Sequence, residues 1–329
     1  MKTQGPLQLR WRPYRFDLPR SLITSRGDLV QRRGWLLRLM TPDGCCGWGE
    51  AAVPLFAALD VDLAEAVAAV PALVERGVLE RLLPLLPPAL ACGLGMALAE
   101  LDGLGSQEQG GWRSAPASAW LLPAGEAAVP ALGQVLSRAP SHPAQPLTLK
   151  WKVAAMGDAQ ERSVLEVLLQ RLPPAARLRL DANGGWDRPT AAQWADRLKG
   201  EPRFEWLEQP LAPHDLQGLE ALAAMVPVAL DESLPHLSGQ QCSAWSGWLV
   251  RRPLQEGDPR PLLSQLEAGI PRQMLSTAFE TGIGRRFLEH LAALQANGPT
   301  PAAPGLAPGW SPMGDLFAAE PQRVWEAAA

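Results

Sequence analysis

The chain has 329 residues, 47% of them hydrophobic, with 30 basic and 34 acidic side chains and a formal charge of −4. That length suits a barrel of about 200 residues plus a smaller domain, and the mixed charges form no basic stripe, which argues against a nucleic-acid partner. The four cysteines, Cys45, Cys46, Cys92 and Cys242, show no CxxC spacing, and no apolar leader precedes the charged start MKTQGPLQLRWRPYR, so a reducing cytoplasm is the expected location.

Before residue 110 the pattern is mixed. LQLRWRPYRFDL and GWLLRLMTPDGCCGWGEAAV read as strands, with a turn at Pro42-Asp43-Gly44, and DLAEAVAAVPALVERG reads as one helix. Residues 82–99, LLPLLPPALACGLGMALA, carry no charge, which raises the question of a membrane span. Prolines and glycines interrupt the run and Glu100 and Asp102 follow at once, so a turn into a buried helix is expected and no span.

From about residue 117 short apolar runs recur at SAWLLP, PLTLKWKV, RLRLDAN, FEWLEQP, VPVALDES, GWLVRRP and RQMLSTAFET, separated mostly by alanine- and leucine-rich segments with helical spacing. Strand then helix, repeated, predicts a parallel sheet, and seven or eight such units predict a closed barrel. An open doubly wound sheet is the alternative, but no GxGxxG or phosphate loop follows any run. After Ala296, NGPTPAAPGLAPGWSPMG predicts a last short strand and an irregular tail returning to the N-terminal section.

In such a barrel the strand ends share one mouth. Asp181, Glu208 and Asp231 close three successive runs. Taken singly, each also fits a helix cap or a solvated loop. Converging, they would repel one another unless a cation sat between them. A hard divalent ion, Mg2+ foremost, suits three carboxylates. One run earlier, Lys150 and Lys152 are two residues apart and leave the strand on one face, while Leu147, Leu149, Trp151 and Val153 make the other face apolar. Each ammonium, beside a metal ion, disfavours protonation of the other, so one can act as a neutral base.

K-x-K, D-A-N, E-Q-P, D-E-S and S-T-x-x-E-T-G, in order between Leu147 and Gly284, together resemble the enolase superfamily in its muconate-lactonizing branch. LRLDANGGW, FEWLEQP, ALDESL and ALACGLGMALAELDG look most like the o-succinylbenzoate synthase family of that branch. The resemblance implies an α/β fold: a modified TIM barrel, (β/α)7β, over residues 111–304, beneath an N-terminal α+β capping domain of residues 1–110 that the C-terminal tail, about 305–329, rejoins. It implies a small-molecule carboxylate substrate, Mg2+ with Mn2+ able to substitute, and syn dehydration through a metal-held enediolate in menaquinone or phylloquinone biosynthesis. Carried over by position, the ligands are Asp181, Glu208 and Asp231, and the base is Lys152, with Lys150 beside it touching the substrate carboxylate. Asn183, Ser276 and Thr277 would contact substrate, and the stretch LITSRGD, with Ser25 and Arg26, would close over it. No oligomeric state is implied.

One position departs from the pattern. The sixth strand of this branch ends in lysine before proline, whereas GWLVRRP has Arg252. A guanidinium stays protonated and cannot remove a proton from carbon, though it can stabilise an anion or lie over an unsaturated ring. Arg251, alternating with it, should face the helices and need a carboxylate there. A dipeptide epimerase or an N-acylamino acid racemase needs a base on each face of its carbon, which Arg252 disfavours. A muconate cycloisomerase and a non-catalytic carboxylate binder remain alternatives.

Overall fold

Two sheets with different construction rules organise the chain, whose computed structural model describes residues 5–55, 61–138, 146–310 and 312–328. The first is antiparallel. β1 (Leu7–Thr24) and β2 (Gly27–Met40) form a long hairpin, with a register shift between Asp17 and Leu22, and the Pro42-Asp43 turn leads into β3 (Cys46–Ala52). The stretch expected to be a loop over the substrate, LITSRGD, is therefore the hairpin's tip: Thr24 pairs with Gly27, leaving only Ser25 and Arg26 outside the ladder.

The single helix expected over DLAEAVAAVPALVERG is divided. α1 (Val61–Ala69) ends before Pro71, β4 (Leu73–Val74) adds to the edge of β1, and α2 (Arg76–Leu82) follows. Proline cannot continue the helical hydrogen-bond pattern, and Val74 instead pairs with Leu7. The sheet order is β3-β2-β1-β4.

α3 (Pro88–Leu101) accounts for the uncharged eighteen residues. Every residue from Ala89 to Ala99 is buried, because the helix lies between this sheet and the second layer. Glycines make the approach possible: a Cβ on Gly49 would lie 1.8 Å from the Gly93 carbonyl oxygen, and one on Gly47 would lie 2.0 Å from that of Ala97. Among the described residues no helix is long and apolar enough to cross a membrane.

The second sheet is parallel, and its seven strands stand side by side in chain order. Each forms at one of the seven apolar runs: β5 (Trp120–Leu122), then α4 (Ala128–Arg138); β6 (Thr148–Lys152), then α5 (Asp158–Arg171); β7 (Arg177–Asp181), then α6 (Arg188–Leu198). β8 (Phe204–Glu208), α7 (Leu216–Ala223), β9 (Val228–Leu230) and α8 (Gly239–Ala244) continue the alternation. β10 (Trp248–Arg251), the helical turns α9 (Pro253–Glu256) and α10 (Arg260–Glu267), β11 (Gln273–Leu275) and α11 (Gly282–Ala296) complete it.

The last strand expected after Ala296 shrinks to one bridge. Gly305 pairs with Ser276, its N–H donating to the Leu275 carbonyl at 2.7 Å, while the Ala119 N–H donates to the Pro304 carbonyl at 2.9 Å. Residues 304–306 thus stitch the two edges of the sheet into a ring. The tail then returns to the first sheet, where α12 (Pro321–Ala327) lays Trp325 against Trp48 with ring centroids 5.7 Å apart.

Period-two alternation sorts the parallel strands. Leu149, Trp151, Leu178, Leu180 and Leu207 face the helices, while Trp206, Ala229, Val250 and Met274 fill the barrel floor. The Arg179 guanidinium also enters this floor, 3.9 Å over the Trp206 ring and bonded to Glu205 at 2.7 Å. The inward positions two residues further on carry the charges.

Gly49→Ala is expected to lower stability by about 3 kcal/mol, because the added methyl meets a backbone carbonyl that cannot move without shifting α3. A urea-unfolding midpoint unchanged from wild type would contradict this packing.

Candidate active site

Inward positions at the C-terminal ends of β6 to β10 place charged groups in one mouth. Asp181, Glu208 and Asp231 are buried and each offers a carboxylate oxygen within 4.8 Å of the others. Adjacent-strand pairing brings them together, since Lys152 lies beside Asp181 and Asp181 beside Glu208 in the ladder.

Both lysines reach this cluster. Lys150 Nζ lies 2.7 Å from Asp181 Oδ2 and 2.5 Å from Glu208 Oε1. Lys152 Nζ lies 2.6 Å from Asp181 Oδ2 and 2.8 Å from Asn183 Oδ1. The two titrate in opposite directions. Burial disfavours the Lys150 ammonium, but Asp181 and Glu208 outweigh it and raise its pKa. For Lys152, burial prevails over Asp181, helped by the charge of Lys150, and the pKa falls below the usual lysine value.

Asp181, despite burial, is held far below the carboxylate range by the two ammonium groups. Glu208 goes the other way: burial first, then the nearby charge of Asp181, push its carboxyl up to about 8. Its Oε2 is buried with no hydrogen-bond partner among the described residues. A carboxylate oxygen aimed inward without a donor, beside two further carboxylates, is a donor set that fits a hard divalent cation.

Across the mouth, Arg252 grips Asp231 with its fork, Nε to Oδ1 at 2.9 Å and Nη2 to Oδ2 at 2.5 Å. Its Nη1 donates to the Thr277 carbonyl at 2.5 Å, and the nearest oxygen of Glu208 is 3.8 Å away. Arg251 points outward to the Glu256 carboxylate and to Gln273 Oε1, 3.1 Å from its Nη1. The same glutamate accepts the backbone N–H of Arg252, so one side chain ties down both arginines.

The remaining expected contacts divide. Asn183, Arg26, Ser276 and Thr277 line a cavity of about 240 Å3 beside Lys150, Lys152 and Arg252. Ser25 does not. Its hydroxyl donates to the Ala182 carbonyl at 2.9 Å, pinning the hairpin tip to the end of β7. Thr277 reaches the cavity, but its hydroxyl donates to Glu280 at 2.5 Å and accepts the Phe279 N–H at 2.8 Å. It has no proton left to offer a ligand.

Two further residues inside the recognised motifs, outside the expected set, build the site. Gln209 of E-Q-P accepts the backbone N–H groups of Asp231 and Ser233 at 3.1 and 3.0 Å, fixing the end of β9. Glu232 of D-E-S accepts Asn183 Nδ2 at 2.9 Å, and burial together with Asp231 raises its carboxyl to about 7. Their places inside E-Q-P and D-E-S were the signal, but a side chain's partner on another strand cannot be read from the triplet.

Residues 147–241 match the family model described as enolase C-terminal domain-like. Over 297 residues, 87% of this chain and 88% of the relative, the sequence is 34% identical to an o-succinylbenzoate synthase of Thermosynechococcus vestitus. The fold matches the crystal structure of o-succinylbenzoate synthase from Thermosynechococcus elongatus BP-1, which is complexed with Mg in the active site. The TM-score is 0.78 at 31% identity, over 97% of this chain and 99% of that one. A substrate-liganded L-Ala-D/L-Glu epimerase of Bacillus subtilis shares the fold at TM-score 0.79 and 21% identity, over 95% of this chain and 92% of that one. With an identity of 34% sustained along most of both sequences, this chain belongs to the o-succinylbenzoate synthase family of the enolase superfamily.

Proposed function

We propose that the chain removes water from 2-succinyl-6-hydroxy-2,4-cyclohexadiene-1-carboxylate to give 2-succinylbenzoate. The observation that carries this reading is an asymmetry across the barrel: a lysine of lowered pKa on β6 faces a permanently charged arginine beyond β10. Lys152 as free amine takes the proton from the carbon bearing the carboxylate. As an ammonium it then returns that proton to the hydroxyl leaving the neighbouring carbon. One C–H and one C–O bond break on the same face, the ring becomes aromatic, and the lysine ends as it began.

Asp181, Glu208 and Asp231 would hold the metal ion, which we take to be Mg2+ with Mn2+ able to replace it, since all three donors are hard oxygens. Bound there, the ion would anchor the substrate carboxylate and offset the negative charge that grows on it as the proton leaves. Lys150 adds fixed positive charge beside Asp181 and Glu208 and keeps the pKa of Lys152 low. Arg252 fixes Asp231 and contributes a charge that cannot be surrendered. Asn183 and Glu232 hold the amine end of Lys152 in place through one hydrogen-bonded chain. Arg26 and Ser276 line the remaining wall, where the succinyl arm would lie.

The epimerase likeness supports a second reading in which a chiral carbon is inverted. Inversion needs a second base where Arg252 stands. Incubation with a chiral N-succinyl amino acid in deuterated water is expected to give no inversion; rapid inversion with deuterium uptake would replace the dehydratase reading.

Lys152→Ala is expected to reduce turnover by about 10²- to 10⁴-fold while leaving folding and divalent-ion binding intact. In the wild type kcat/KM should rise with pH through the lowered pKa of Lys152, because only the free amine can act, and fall below it. A separate expectation concerns ion binding. Glu208 is mostly protonated at neutral pH, with its carboxyl near 8, yet must be ionised to ligate. Mg2+ uptake at pH 7 should therefore release close to one proton per site, fading as pH rises past that value. Calorimetry in buffers of different ionisation enthalpy measures this directly, and zero proton linkage at pH 7 would refute it.

A further inference from the structure

The loop from β11 to α11 carries Ser276, Thr277 and Phe279 into the cavity wall. It is an unusual piece of chain. Phe279 has φ 63°, a left-handed conformation that costs a bulky residue about 1–2 kcal/mol. Such a conformation persists only where the surroundings over-determine it. At one end the Thr277 carbonyl accepts Arg252, and Glu280 folds back onto Thr277 and the Ala278 N–H.

The other end is held from the first sheet. Glu50, on β3, is fully buried and lines no part of the cavity. Its Oε2 accepts the Thr281 N–H at 3.0 Å, the Thr281 hydroxyl at 2.6 Å and the Gly284 N–H at 3.1 Å. Its Oε1 accepts the Tyr14 hydroxyl at 2.5 Å. Four donors thus converge on one carboxylate at the start of α11, where the free N–H groups and the helix dipole favour an anion. The approach depends on glycine, since a Cβ on Gly284 would come within 2.6 Å of Glu50 Oε2. Behind it, Gly93 lets α3 press against the Glu50 backbone, a Cβ there lying 2.9 Å from its carbonyl carbon. The carboxylate has little room to move.

We propose that Glu50 is a positioning residue for the reaction: from the capping sheet it sets the β11–α11 loop, and so the Phe279 ring against the substrate and the Thr277 carbonyl beneath Arg252. This rests on the dehydratase reading above. Glu50→Gln turns an acceptor-only group into one whose amide opposes the donors facing it. Tyr14→Phe removes a bond to the same carboxylate without touching the loop, and serves as the control for stability alone.

Both variants would be assayed well below their unfolding temperatures, alongside hydrogen exchange of residues 277–284 and of β7. For Glu50→Gln we expect kcat/KM to fall about tenfold or more, with KM raised, and exchange in the loop to accelerate about tenfold while β7 is unchanged. Tyr14→Phe should lose stability yet keep KM within about twofold. If Glu50→Gln does not fold, Thr281→Val, which removes one donor, takes its place with an expected loss of about threefold. Wild-type kcat and KM in the folded carboxylate variant, or an equal kinetic loss in Tyr14→Phe, would overturn the proposal. Absence of dehydratase turnover in the wild type would instead refute the functional reading, and loop exchange alone would then judge the anchor.

Discussion

Three carboxylates buried within 4.8 Å of one another are the constraint to which the rest of this barrel answers. At an effective dielectric of about 20, each like-charged pair at that separation costs about 3 kcal/mol, and no hydrophobic packing around them reduces it. Lys150, Lys152 and Arg252 supply the opposing charge inside the mouth. They meet four acids, because Glu232 joins the three, and the shortfall is felt at Glu208, whose second oxygen has no donor among the described residues and whose proton is held tightly. The site gathers more acid than the three cations offset, and a divalent ion held by the three carboxylates would supply two further positive charges.

The lysine pair illustrates how two like residues on one face take different roles. Lys150 sits between two carboxylates and stays charged; Lys152 has one carboxylate and an amide, and its ammonium is the less favoured. The difference is set by neighbours on β7 and β8. On the opposite wall the two arginines separate by the pleat, and Glu256 fastens both, one through its guanidinium and one through its backbone. Arg252 is therefore tied to Asp231 and Thr277 more closely than an arginine free to stack on a substrate ring would be.

The first sheet does more than cover the barrel. It contributes the hairpin tip that Ser25 fastens to β7, the α3 helix packed at backbone contact, and the Glu50 carboxylate at the start of α11. The Ser25 and Glu50 links land on loops that carry cavity residues. The two layers consequently share one hydrogen-bond framework, and the polar groups at their junction are spent on each other.

Much of this was legible in the amino-acid sequence. Seven apolar runs, each followed by a helical segment, determine a parallel barrel because buried strands and their covering helices leave separate periodicities. A polar residue that closes such a run on the inward side of the pleat faces the shared mouth, which is why Asp181, Glu208, Asp231, Lys150, Lys152 and Arg252 could be named from spacing and resemblance. The hydroxyl and amide roles were not legible. Ser25 bonds a carbonyl 157 positions away, and Glu50 bonds a threonine 231 positions away. Those pairings exist only once the sheets are stacked, and a short side chain with several possible partners takes whichever one the packing brings within 3 Å. The sequence determined most of the charges that enter the mouth, Glu232 excepted; tertiary structure decided which polar groups remain free to meet a substrate, because hydrogen-bond capacity is used up by neighbours the chain order does not reveal.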